Sequence, residues 1–247
     1  MIGIIAAEEK EMNEIKKLMV DIEEKNIFNL NFYKGIIEGK NCVLVQCGEG
    51  KVNAARTSQI IIDNYKINKL INVGSAGAVD EFLNVKDIVI ADKLVQYDFD
   101  ISSLGYEKGQ VGKLGKYFYC DKELIKNCKE AIENIENCNR ESNSSNKESL
   151  KDDNYKAIVG TIATADTFCA NPEIAKNIRN EFGAECVEME GAAIAQVCFL
   201  DKIPFLVIRG ISDTPNGNNK VDFRKYLEVA SKQSAKILKE LIKTCKE

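Results

Sequence analysis

With 247 residues, 45% of them hydrophobic and 29% charged, the chain is long enough to bury a sizeable core and has the composition of an ordinary globular protein. Its formal net charge of −4 and the lack of any dense basic stripe argue against nucleic acid or an anionic membrane as its main partner. The complete absence of histidine removes Ser-His-Asp and Cys-His catalysis and every His-containing zinc site, so acid–base work falls to carboxylates, Lys, Tyr, Cys or the substrate itself.

The longest apolar runs, such as Ile60-Ile61-Ile62, fall far short of a membrane span, and Met1-Ile2-Gly3 enters an apolar stretch with no basic leader, so a cytoplasmic protein is expected. The nine cysteines, at 42, 47, 120, 128, 138, 169, 186, 198 and 245, include no Cys-x-x-Cys pair. They read as small buried hydrophobes in a reducing compartment, and neither a metal site nor a cofactor is expected.

Residues 2–7 predict a short strand, and the helix after it turns Met12, Ile15 and Met19 to one face. Glu8, Glu9 and Glu11 fall in that helix's first turn, where the helix dipole ordinarily recruits acids. Glu11 is the functional candidate among them, one turn into a helix that follows a strand end. Residues 31–38 and 42–47 predict an antiparallel pair through Gly39-Lys40. Gly48-Glu49-Gly50 then turns into a helix running to about Tyr65; such a turn can cradle an anion, yet it has neither Rossmann spacing nor a P-loop ending.

Residues 69–73 predict a strand ending in Gly74-Ser75-Ala76-Gly77-Ala78. These small residues suit either a plain tight turn or close approach of a ligand, with Ser75 offering a hydroxyl. A strand follows at 87–91, and the mixed aromatic and acidic composition of 97–106 suits a loop over a pocket or a subunit contact. An amphipathic helix covers 121 to about 136. Residues 137–154, poor in apolar side chains, read as a surface insertion of disorder-prone composition within one domain spanning 1–247. A strand at 157–163 and a loop at 164–170 precede Asn171-Pro172, a helix start with Pro at its first position.

Chemistry concentrates in the next two segments. Cys186-Val187-Glu188-Met189-Glu190-Gly191 reads as a buried strand that delivers two acids to a strand-to-helix turn, where open α/β sheets bind ligands; an ordinary acidic helix start has the same appearance. In the apolar strand from Pro204 to Asp213, Arg209 sits inside and Ser212-Asp213 closes the end. A charge buried in a strand is costly without a partner or a task, so the two segments together suggest one polar site. A polar loop at 214–220 and a last helix at about 223–244 complete a βα alternation with hairpin elements.

Four segments now stand together: 7–11, Gly74-Ser75-Ala76-Gly77, Val187-Glu188-Met189-Glu190 and Ile211-Ser212-Asp213. In this order and at these separations they resemble the 5'-methylthioadenosine/S-adenosylhomocysteine nucleosidases of the purine nucleoside phosphorylase superfamily. The resemblance runs from Ile2 to the last helix. It implies an α/β three-layer sandwich with a central mixed β-sheet flanked by helices, and a cofactor-free homodimer. The implied reaction is hydrolysis of the N-glycosidic bond of 5'-methylthioadenosine, S-adenosylhomocysteine or 5'-deoxyadenosine, with release of adenine. By the same resemblance, Asp213 is the general acid at purine N7 and Glu11 the base that activates water, assisted by Ser75 and Arg209. Glu190 holds the ribose hydroxyls beside Met189, with Glu188 and Ser212 in the same binding motifs. Phe168 stacks on adenine, backbone groups of Cys169 read its edge, Gly77 lies against the ligand, and Phe223 covers the pocket.

Some positions depart from the family's pattern. Glu8 and Glu49 stand where apolar residues usually line the 5'-thioalkyl pocket, Leu104, expected to reach over from a partner subunit, replaces an aromatic, and Tyr97 takes a position commonly histidine. Either the two acids face solvent or are neutralised by Arg56 or a lysine, or the 5' group is polar or cationic. A phosphorylase of the superfamily would carry an arginine just before the Gly-Ser segment; Asn72 and Val73 stand there, which favours water as nucleophile. A phosphate-dependent phosphorylase and a non-catalytic nucleoside-binding sensor are the alternatives.

Overall fold

Apolar runs that end in small or polar residues become the strands of one sheet. The computed structural model describes residues 1–143, 155–214 and 219–245. In chain order the elements are β1 (Ile2–Ala6), α1 (Glu9–Lys16), β2 (Val20–Ile27), β3 (Leu30–Ile37), β4 (Lys40–Gln46), α2 (Lys51–Asn64), β5 (Lys69–Ala78), β6 (Ile88–Gln96), β7 (Phe118–Tyr119) and α3 (Lys122–Asn143). Then follow β8 (Ala157–Thr164), α4 (Pro172–Phe182), β9 (Ala184–Glu188), α5 (Gly191–Asp201), β10 (Phe205–Asp213) and α6 (Asn219–Thr244).

The sheet is mixed. Parallel pairings join β1 to β4 and β5, β5 to β10, β6 to β8 and β8 to β9, while β5–β9, β6–β10 and the β2–β3–β4 meander are antiparallel. Because β5 pairs with both β9 and β10, the strands β5, β10, β6, β8 and β9 close into a ring, and the remaining strands extend it as an open sheet. Helices α1, α3 and α6 pack together, as do α2 and α5, so helices flank the sheet as the α/β expectation required. The central strands β1 and β10 are buried at every position, the pattern of strands covered on both faces.

Several elements differ from the sequence-based expectation. Strand β2 has no apolar alternation to announce it: all but its last residue are exposed, and it forms one end of the sheet's strand order. It pairs closely because Gly35 opposite it has no Cβ; one there would sit 2.8 Å from the Val20 carbonyl oxygen. The Gly74–Ala78 segment is not a turn but the continuation of β5. Helix α3 runs on to Asn143, through residues assigned to the insertion; the rest of that insertion, 144–154, lies outside the described residues. Seven of the nine cysteines are buried, as small core side chains would be.

Candidate active site

The carboxyl ends of β1, β5, β9 and β10 open into one cavity of about 180 Å³. Among the described residues its wall carries six carboxyl groups, from Glu8, Glu11, Glu49, Glu188, Glu190 and Asp213, against one cation, Arg209.

Glu11, buried on the first turn of α1, is fixed by four donors. The N–H groups of Ala7 and Glu8 donate to Oε2 at 3.2 and 3.0 Å, and the N–H and hydroxyl of Ser75 donate to Oε1 at 2.9 and 3.0 Å. Gly74 makes room for this contact between helix and strand: a Cβ there would sit 3.2 and 3.3 Å from the two Glu11 oxygens and 3.4 Å from Arg209 Nη1.

Arg209 is fully enclosed in β10. Its Nη2 donates to Glu188 Oε2 and Asn72 Oδ1, both at 2.5 Å, and its Nη1 to the Ile208 carbonyl at 3.2 Å. Burial works against its charge, but Glu188 and Glu190 outweigh that and raise its pKa. Glu188 lines the cavity with its carboxylate already engaged: the Thr164 hydroxyl donates to Oε1, while the N–H groups of Glu190 and Gly191 join Arg209 on Oε2, at 3.0 and 2.6 Å. A Cβ at position 191 would lie 2.7 Å from Leu94 and 3.1 Å from both Glu188 oxygens, so only glycine lets α5 start against this carboxylate.

Glu190 accepts the Gly50 N–H at 2.7 Å, and burial, then the neighbouring Glu188 charge, pushes its pKa up to about 8. The glycine turn before α2 thus holds anions that belong to the protein: the next N–H, of Lys51, goes to Asp166 at 2.7 Å. Asp213 ends β10, buried, with the Ser212 hydroxyl donating to its Oδ1 at 2.8 Å. Its Oδ2 approaches Gly77 so closely that a Cβ there would be 2.8 Å away.

Phe168 and Phe223 meet edge to face at the cavity, with ring centroids 5.7 Å apart and planes at 72°. Met189, Ser75, Gly77 and Ser212 also line it. Cys169 and Leu104 do not: Cys169 is half-buried beside the cluster formed by α4 and β9, and Leu104 is 73% exposed on a short 3₁₀ turn, Ser102–Leu104. Tyr97, at the end of the same loop, is buried, and burial raises its phenol pKa. Glu8 is half-buried and Glu49 exposed, both on the cavity wall; burial, then Glu11 and Glu49, raise the Glu8 pKa. Arg56 is occupied elsewhere, donating to the Phe28 carbonyl at 2.5 Å. Sequence reasoning passed over Thr164 and the Gly50 N–H, and gave Asn72 no part in the site. Polar residues in or ending otherwise apolar strands were the available signal; the Gly50 N–H left none.

A family model described as the phosphorylase superfamily matches residues 1–243. The 5'-methylthioadenosine/S-adenosylhomocysteine nucleosidase of Listeria innocua is 38% identical over 244 residues, covering 98% of this chain and 99% of that one. The structure of the Neisseria meningitidis nucleosidase of that name, in complex with methylthio-immucillin-A, superposes with a TM-score of 0.89 at 31% identity over 99% of both chains. That from Colwellia psychrerythraea, in complex with adenine, gives 0.88 at 34% identity over 98% of this chain and 94% of that one. By sequence and by structure, this chain belongs to the phosphorylase superfamily and, within it, to the 5'-methylthioadenosine/S-adenosylhomocysteine nucleosidases.

Proposed function

We propose that the protein hydrolyses the N-glycosidic bond of 5'-substituted adenosines, releasing adenine and the 5'-substituted ribose. The observation that carries this reading is the charge of the cavity: among the described residues six carboxyl groups face one guanidinium, and that guanidinium is already paired with Glu188. Glycosidic cleavage passes through an oxocarbenium-like state, which anionic walls stabilise. Among the described residues no unpaired cation on this wall is offered to a phosphate dianion, which favours water over phosphate as the nucleophile.

In this mechanism Asp213 protonates N7 and so makes adenine a better leaving group. Glu11, fixed by its four donors, orients a water below the sugar and takes its proton. Glu190 receives the ribose hydroxyls, and Arg209 acts through Glu188 by fixing the turn that carries Glu190. Phe168 offers its face to the purine with Phe223 against its edge. Binding of methylthio-immucillin-A and of adenine by the relatives supports a nucleoside with these two ends. The active form is a homodimer in which the exposed Leu104 reaches the partner's pocket. The test is adenine release by the purified protein from 5'-methylthioadenosine, S-adenosylhomocysteine and 5'-deoxyadenosine. Release that Asp213→Asn slows on the order of 10² to 10⁴-fold is expected; no release from any of the three contradicts the reading.

A further inference from the structure

Two of the six cavity carboxylates have no part in the chemistry above. Glu8 is the residue whose N–H supports Glu11, and Glu49 precedes the residue whose N–H supports Glu190. Glu8 therefore stands beside the acid placed below the sugar and Glu49 beside the donor to the acid at the ribose hydroxyls, and both line the same cavity. They lie close enough together for the Glu49 charge to raise the Glu8 pKa. Among the described residues, no lysine or arginine comes within ion-pair distance of either carboxylate; Lys10 partly offsets the rise in the Glu8 pKa without pairing with it. Lys51, two residues beyond Glu49, is taken by Asp98 at 2.6 Å, and Arg56 by the Phe28 carbonyl.

Two carboxylates lining one cavity are unfavourable while it is empty, because like charges repel and the half-buried Glu8 has also lost solvent. An apolar methylthio group placed against them would strip more water from both and return nothing. A cation would relieve both costs at once. A zwitterionic amino-acid tail brings its own carboxylate and gains less.

We propose that Glu8 and Glu49 select 5' substituents that end in a cation, a protonated primary amine on a short alkylthio chain, over the methylthio group. The proposal rests on the nucleosidase reading and sharpens its substrate class. Both residues are specificity determinants and make no contact with the reacting bond.

The experiment compares kcat/KM for 5'-(3-aminopropylthio)-5'-deoxyadenosine, its uncharged near-isostere 5'-butylthio-5'-deoxyadenosine, and 5'-methylthioadenosine. The amine is expected to exceed the butyl analogue by about tenfold or more at low ionic strength, and the ratio to shrink as salt screens the pair. In the Glu8→Gln/Glu49→Gln double variant the ratio falls towards one. Should the double variant not fold, the wild-type ratio and its salt dependence decide alone. Equal or better cleavage of the butyl or methylthio compound overturns this proposal and leaves the nucleosidase reading intact. Adenine release from none of the three overturns both.

Discussion

Arg209 and Glu188 face each other at 2.5 Å with side chains only 1% and 2% exposed, and this pair fastens β10 to the start of α5. One Glu188 oxygen receives Arg209 together with the N–H groups of Glu190 and Gly191, so the pair also sets where Glu190 stands. Replacing one partner of a buried pair leaves the other's charge uncompensated, which costs about 3–5 kcal/mol. Glu188→Met is therefore expected to lower the urea midpoint by an amount equivalent to roughly that figure. A midpoint matching wild type would show that the pair does not hold the fold.

Asp213→Asn and Glu11→Gln keep shape and remove a proton donor or acceptor. Each is expected to reduce kcat for adenine release on the order of 10² to 10⁴-fold, with an unfolding temperature close to wild type. Combined, they should lose less than the product of the two, because they serve one transition state. Steady-state kinetics on 5'-methylthioadenosine checks this.

Glu190 links pH to stability. Its folded pKa, about 8, lies above the ordinary value of 4.5, so the folded protein holds a proton that the unfolded chain releases. The stability it contributes is fully present below about pH 4.5 and is lost as pH rises through about 8. Glu190→Gln keeps an acceptor for the Gly50 N–H and does not titrate. The unfolding temperature of the variant minus that of wild type should therefore rise between pH 5 and pH 8.5. A difference that stays flat with pH would contradict this assignment.

Gly77 lets Asp213 sit against β5. Because a Cβ would stand 2.8 Å from Asp213 Oδ2, Gly77→Ala should push the acid off its position. Misplacement of this kind can cost on the order of 10²-fold in rate. The readout is kcat set beside the melting temperature, and a variant with wild-type kcat would argue against a fixed Asp213.

Much of the candidate site was legible because strand ends announce themselves: an apolar run stops at Glu188-Met189-Glu190 or at Ser212-Asp213, and the cavity wall begins there. Arg209 inside β10 carried the same message, since a buried charge implies a partner, although not which one. The partner, Glu188, lies 21 residues away in sequence, and nothing local marks its commitment to Arg209, Thr164 and two backbone N–H groups. Gly74 to Ala78 read from composition as either a turn or room for a ligand, whereas they continue a strand on which Glu11 and Asp213 press at Gly74 and Gly77. Strand β2 was missed because an exposed strand has no buried face to impose alternation. In each case the missing information was a contact between distant segments.

The central claim is that this carboxylate-rich cavity uses water and not phosphate to break the glycosidic bond. Incubation of the protein with 5'-methylthioadenosine in phosphate-free buffer, then with added phosphate, and identification of the sugar product by mass, tests it most directly. The account predicts an undiminished rate without phosphate and free 5-methylthioribose under both conditions. Turnover that requires phosphate and yields the sugar 1-phosphate would contradict it.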